Sequence, residues 1–285
     1  MNTGTRISIG ALNISASPHP AGTYEKLLQE AADNEVPVWG SDWASITPPQ
    51  RLSAPRQNFL EGRILLWTII RKDRPWLNKK KRAQATREES QKASGAIPPD
   101  FEPNYRSFHY LFIEDKHRLL FETQNELGER FGAKRAEKFF QRLLSPDYLS
   151  KESPLVDVTI IPEEESLERI LGMPGLRRLE ILIKRPNSDY SEAEYHVVMD
   201  DLVEQGAKSR KTELVRAPKT KALIPNLKTR TLAAIGSTDG YVKGEGSDAN
   251  GRPIFESTRD HPKIRHRHLD ASSVEVLLSS VPLFL

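Results

Sequence analysis

The chain opens on RISIGALNISAS at 6–17, where apolar and polar residues alternate as in a half-buried strand, and SPHP ends the run with a turn. Tyr24, Leu27, Leu28, Ala31 and Ala32 then recur at the spacing that places five side chains on one face of a helix. VPVWG and FLEGRILLWTIIR read as further strands, and SFHYLFIEDKHRLLFET reads as a hairpin turning at Glu114–Lys116. Between Lys72 and Pro103 the periodicity vanishes, which predicts a mobile basic loop around Lys79, Lys80, Lys81 and Arg82. Helical spacing returns at 132–145. Ala136, Phe139, Phe140, Leu143 and Leu144 share its apolar face, with Lys134, Arg135, Lys138 and Arg142 opposite.

From 155 the pattern becomes strand, helix, strand. LVDVTII is followed by Pro162 and three glutamates, suited to the positive end of a helix dipole. Leu167, Ile170 and Leu171 supply that helix's inner face, Gly172 and Pro174 stop it, and LRRLEILIKRP returns as a strand. Ser191 and Glu194 read as a capping box ahead of an apolar stripe at Tyr195, Val198, Met199, Leu202 and Val203. KTELVR is a further strand, and a helix is expected over 226–235. Asn250-Gly251 marks a hairpin, and the chain closes on an apolar helix. This irregular alternation predicts an α+β fold of two mixed α/β lobes with antiparallel hairpins, divided near SPDYLSKESP into 1–150 and 151–285.

Composition narrows the chemistry. The 285 residues include no cysteine, which excludes disulfides, thiolate catalysis and cysteine-ligated zinc. The longest apolar run, ILLWTII, is strand-sized, and the first ten residues lack a signal-peptide pattern, so a cytoplasmic protein without direct membrane insertion is expected. A net charge of +3 is too small for a histone-like protein but permits a local basic stripe.

That stripe is expected at the C-terminal side. Lys263, Arg265 and Arg267 alternate along one strand, giving a cationic row with steps of about 6.6 Å that could follow a phosphate backbone. Lys243, Arg252 and Arg259 would extend it through the hairpin, and the helix cations Lys134, Arg135, Lys138 and Arg142 offer a second patch. The same row could instead be an edge strand protected by charge. Gly240, Gly244 and Gly246 allow close backbone approach, either to a phosphate or simply for twisting. His266 and His268 share a face and could ligate a metal with Asp260 or Asp270, although a polar surface explains them equally. Asp100, Glu114 and Lys116 match the residue types of a magnesium nuclease, but their turn-like settings favour an ordinary surface. No P-loop, GxSxG or HExxH motif occurs, and no cofactor or metal is expected.

Several stretches resemble a known family. ISIGALNISASPHPAGTYEKL, FLEGRILLWTIIRKDRPWLN, HRLLFE, KFFQRLL, SLERILGMPGLRRLEILIKRPN and YVKGEGSDANGRPIFESTRDHP stand in the order found in an uncharacterised bacterial and phage family, catalogued as a domain of unknown function. The lysine run at 79–82 departs from that family's pattern. More distantly, FHYLFIEDKHRLLFE, KFFQRLL and the 155–185 unit look like the phage exclusion protein RexA and like KwaB, the DNA-binding partner in the Kiwa anti-phage system. Those resemblances imply DNA binding, self-association and a defence-system protein partner, and they supply no catalytic residues. The expectation is therefore a non-catalytic nucleic-acid-binding component, DNA favoured, acting as a homo-oligomer in anti-phage defence or phage exclusion. A magnesium-dependent effector nuclease and a structural subunit are the alternatives.

Overall fold

The computed structural model describes residues 5–56, 58–71, 73–98, 100–185 and 193–285, without the side chains of 193–195. Its first half runs β1 (Arg6–Ser17), α1 (Thr23–Ala31), β2 (Val36–Trp39), β3 (Asp42–Ile46), β4 (Gln50–Arg51), β5 (Phe59–Thr68), β6 (Leu77–Asn78), β7 (Ala83–Gln84), α2 (Arg87–Gly95), β8 (Arg106–Ile113), β9 (Arg118–Gln124) and α3 (Ala133–Leu143). The second half runs β10 (Leu155–Ile160), α4 (Glu164–Leu171), β11 (Arg178–Lys184), α5 (Ala193–Glu204), β12 (Ser209–Val215), α6 (Leu227–Asp239), β13 (Gly240–Ser247), β14 (Pro253–Ser257), β15 (Ile264–His268) and α7 (Ser273–Ser280). Antiparallel sheets with helices packed on them make this an α+β fold, as the patterning predicts.

Strand β1 organises the larger sheet. It pairs with β9 on one side and with β15 and then β10 on the other, so Ile7 to Ala16 are all buried. The alternation that suggested a half-buried strand instead divides two buried faces. Leu12, Ile14 and Ala16 enter the core under α1 and α3, whereas Ile7, Ile9 and Ala11 enter a second core under α7. Further along the second face, Asn13 and Ser15 turn polar, and there the smaller sheet docks. The helix patterns are realised as predicted at α1 and α3: Tyr24, Leu27, Leu28 and Ala31 are buried, as are Ala136, Phe139, Phe140 and Leu143. On the α7 side, Glu122 is buried and accepts the His109 amide at 2.8 Å. Burial raises its pKa, while burial beside Arg63 lowers that of His109.

The smaller sheet has the order β12-β11-β13-β14. One face buries Leu179, Ile181, Ile183 and Val242 under α4, α5 and α6; the other is open, with Val215 and Phe255 exposed. A division of the chain at 150 does not coincide with the division between sheets. Beyond it, β10 and β15 complete the larger sheet, and Val276, Leu277 and Phe284 complete its second core.

Two local expectations are corrected. The 72–103 segment is not a structureless loop: Lys79 to Arg82 cap the β6–β7 ribbon, and Thr86 and Glu89 form a capping box that starts α2. Lys81 pairs with Glu89 at 2.7 Å, so local polar bonds supply what the missing apolar periodicity does not. In α5, Val198 and Leu202 are buried but Val203 is exposed, because the inner stripe is narrower than its apolar residues suggest. The Ser191 cap and the Glu194 and Tyr195 side chains lie outside the described residues.

Candidate nucleic-acid interface

Arg265 and Arg267 lie on one side of β15, with Lys263 just before it, but Lys263 and Arg265 meet the chain's own carboxylates. Lys263 is only 6% exposed and bonds Glu164 at 2.7 Å. Arg265 bonds both oxygens of Glu163, at 2.7 and 3.1 Å, and Arg267 reaches Ser279 Oγ at 3.5 Å. Glu163 and Glu164 begin α4, so the glutamates that complement the helix dipole also neutralise two members of the row. The Lys263 hydrogen bond holds the Glu164 carboxyl below its usual range. These pairs staple α4 to β15.

The other predicted cations are spread over several surfaces. Arg259 pairs with buried Glu137 of α3, and Lys134 meets Asp260 at 2.5 Å, fixing α3 against the 258–260 turn. Arg142 donates to the Pro37 carbonyl, Arg135 lies 5.9 Å from the Trp39 ring centre, and Lys138 is exposed. On the open face of the smaller sheet, Lys243 stands 3.6 Å from Glu180 and 4.3 Å from the Tyr241 ring. Glu180 also receives Lys211 and the Tyr241 hydroxyl, each at 2.7 Å, and its carboxyl is held low chiefly by Lys211. Arg252 is exposed at the tip of the β13–β14 hairpin. That turn forms as the Asn-Gly signal predicts. Gly251 takes φ +78°, and Asp248 Oδ1 accepts the Asn250 and Arg252 amides at 2.8 Å each.

The glycines of β13 serve packing, which corrects the phosphate-cradle alternative. A Cβ at Gly244 would lie 2.7 Å from Ile170, and one at Gly246 would lie 2.4 Å from Met173 Sδ and 2.6 Å from the Gly175 carbonyl. Gly246→Ala is therefore expected to cost about 1–3 kcal/mol through overpacking. Gly95→Ala, with nothing within 4 Å of its Cβ, is the control. Urea midpoints that fall equally in the two variants would contradict this packing role.

The catalytic and metal alternatives do not assemble. Asp100 precedes β8 and Glu114 follows it, and an eight-residue strand separates its ends by roughly 25 Å. Glu114 pairs with Arg51 in the turn, and Lys116 sits in the same turn. His266 bonds Ser8 Oγ at 2.8 Å, while Asp260 is taken by Lys134. Among the described residues, no group of three or more histidines and carboxylates converges to hold a metal.

The strongest charge imbalance is at 208–230, where eight lysines and arginines stand against one acid, Glu213. The segment comprises β12, which is the edge of its sheet, the loop after it and the first turn of α6. Arg210, Lys211 and Arg230 pair with Asp201, Glu180 and Glu168. Among the described residues, Lys208, Arg216, Lys219, Lys221 and Lys228 have no carboxylate partner. All are exposed except Arg216, which is half-buried and donates to the Lys221 carbonyl at 3.0 Å. Reading KTELVR only as a strand hid this surface; counting charge through the following loop reveals it. A family model described as a domain of unknown function, DUF4747, matches residues 5–279. The chain belongs to this family. No curated protein matches the chain. Among the described residues no helix is long and apolar enough to cross a membrane.

Proposed function

We propose that the chain is a non-catalytic nucleic-acid-binding component of an anti-phage defence or phage-exclusion system, with DNA as its favoured ligand. The observation that carries the binding is the 208–230 surface. Its unpaired cations lie along one sheet edge and the adjoining loop, so each can neutralise a phosphate and release counterions without breaking an internal ion pair. Phosphate contacts of this kind position a protein on nucleic acid without reading its sequence. Arg252 and Lys138 are accessory cations, whereas Lys263 and Arg265 act in the fold. The defence role, self-association and a protein partner come from the resemblance to RexA and KwaB. Exposed Val215 and Phe255 supply apolar area for such association.

The test is fluorescence anisotropy with a short labelled duplex, in magnesium and in EDTA, followed by electrophoresis of the recovered DNA. Binding in both buffers with the duplex intact is expected. Cleavage confined to magnesium supports the effector-nuclease alternative, and absence of binding supports the structural subunit.

A further inference from the structure

A cleft of about 360 Å³ opens where the free edge of β10, the C-terminal end of α3 and the end of β11 meet. We propose that it binds a phosphomonoester, the dianionic terminal phosphate of a nucleic-acid strand. This rests on the binding reading above, because Lys208, which lines the cleft, is also the first cation of the basic strip.

Charge selects the ligand. Lys184, Arg185 and Lys208 line the cleft against a single carboxylate, Asp157. Asp157 holds Lys184 at 3.1 Å, and Arg185 Nε donates to the Ala207 carbonyl at 3.0 Å, which fixes its guanidinium, whose terminal nitrogens have no partner among the described residues. Lys208 has no carboxylate partner among the described residues. The three cations and one acid leave two positive charges, which match a phosphomonoester near neutral pH better than the single charge of an internal phosphodiester. Hydroxyls complete the recognition. Ser145 Oγ is buried without a hydrogen-bond partner, and Ser15 and Ser17 of β1, paired with Asp157 and Leu155 of β10, also line the cleft. An O–H donor and oriented cations are the groups that a phosphate's acceptor oxygens require. Leu155, Val156 and Pro146 give the cleft an apolar side against which a sugar could rest, and its volume falls within the range of small-ligand pockets.

The experiment compares one single-stranded oligonucleotide carrying either a 5′-phosphate or a 5′-hydroxyl, by anisotropy, with calorimetric titration of a 5′-mononucleotide alongside. About tenfold tighter binding of the phosphorylated strand is expected. The double variant Ser145→Ala with Arg185→Gln should reduce that preference to within twofold while retaining the affinity for the hydroxyl end, because neither residue belongs to the 208–230 strip. Saturable mononucleotide binding, abolished by the same variant, also supports the site. If it occurs without an end preference, the source of the phosphate is a free nucleotide. Equal affinity for the two ends with no mononucleotide heat overturns the site and leaves the strip intact. Failure of the wild type to bind either strand overturns the strip instead, and the mononucleotide titration then decides the cleft alone.

Discussion

Replacing Phe140 by alanine is expected to lower the stability of the fold by about 3–5 kcal/mol, the usual cost of truncating a fully buried aromatic. Its side chain is 0% exposed and meets Phe139 edge to face, with ring centres 4.8 Å apart. Phe139 continues the contact to Phe131, and Phe131 to Phe108 and Phe121 on the sheet. A cavity here would loosen α3 from the sheet, along with the Glu137–Arg259 pair that ties α3 to the 258–260 turn. Urea unfolding of wild type, Phe140→Ala and Lys138→Ala checks this. Lys138 projects from the opposite face, so its truncation should shift stability by no more than about 0.5 kcal/mol. A Phe140→Ala protein that unfolds with the wild-type midpoint would contradict the packing described for α3.

The second large effect is a dependence of stability on pH centred on Asp239, at the end of α6 where the smaller sheet meets β1. Asn13 Nδ2 donates to Asp239 Oδ1 at 2.8 Å, while Asn13 Oδ1 and Asp239 Oδ2 are both buried without partners. A proton on Oδ2 would satisfy both atoms by closing an acid–amide ring. Burial pushes the Asp239 carboxyl up to about 7 from its ordinary 3.8, against the opposing pull of Arg118 and the Asn13 hydrogen bond; Asp157 adds to the rise. The folded state therefore keeps a proton that the unfolded state releases. This contribution is fully present below pH 3.8 and is lost as pH rises through about 7. A shift of about three units corresponds to about 4 kcal/mol. Asp239→Asn mimics the protonated acid, so its stability relative to wild type should rise by a few kcal/mol between pH 4 and pH 8. Parallel stability profiles across that range would show that Asp239 does not retain its proton.

These two predictions also mark what the sequence makes legible. The α3 face is readable because helical spacing is local, and the Asn250-Gly251 hairpin is readable because its turn needs a residue that accepts positive φ. The Asn13–Asp239 contact is not, since it depends on two sheets meeting through residues remote in the chain. The cationic row shows the same division. Alternation correctly puts Arg265 and Arg267 on one side of a strand, with Lys263 just before it, but it cannot say that Glu163 and Glu164 of α4 meet Arg265 and Lys263. Helix α2 is announced by Thr86 and Glu89 and was hidden only by its lack of an apolar stripe; none of its side chains is buried. The 208–230 strip needs no structure to be counted, but its exposure and the ion pairs that spare five of its cations do.

The central claim is that this strip, and not the β15 row, carries nucleic-acid binding. It is tested most directly by the salt dependence of duplex affinity for wild type and for a variant with Lys208, Lys219, Lys221 and Lys228 all changed to Gln. Each phosphate contact contributes about 0.9 to the slope of log affinity against log salt. The account predicts that the variant binds more weakly to every duplex sequence and that its slope falls by about 3 to 4, with the melting temperature preserved because none of the four lysines has a carboxylate partner among the described residues. A folded variant that keeps both the wild-type affinity and the wild-type slope would contradict it.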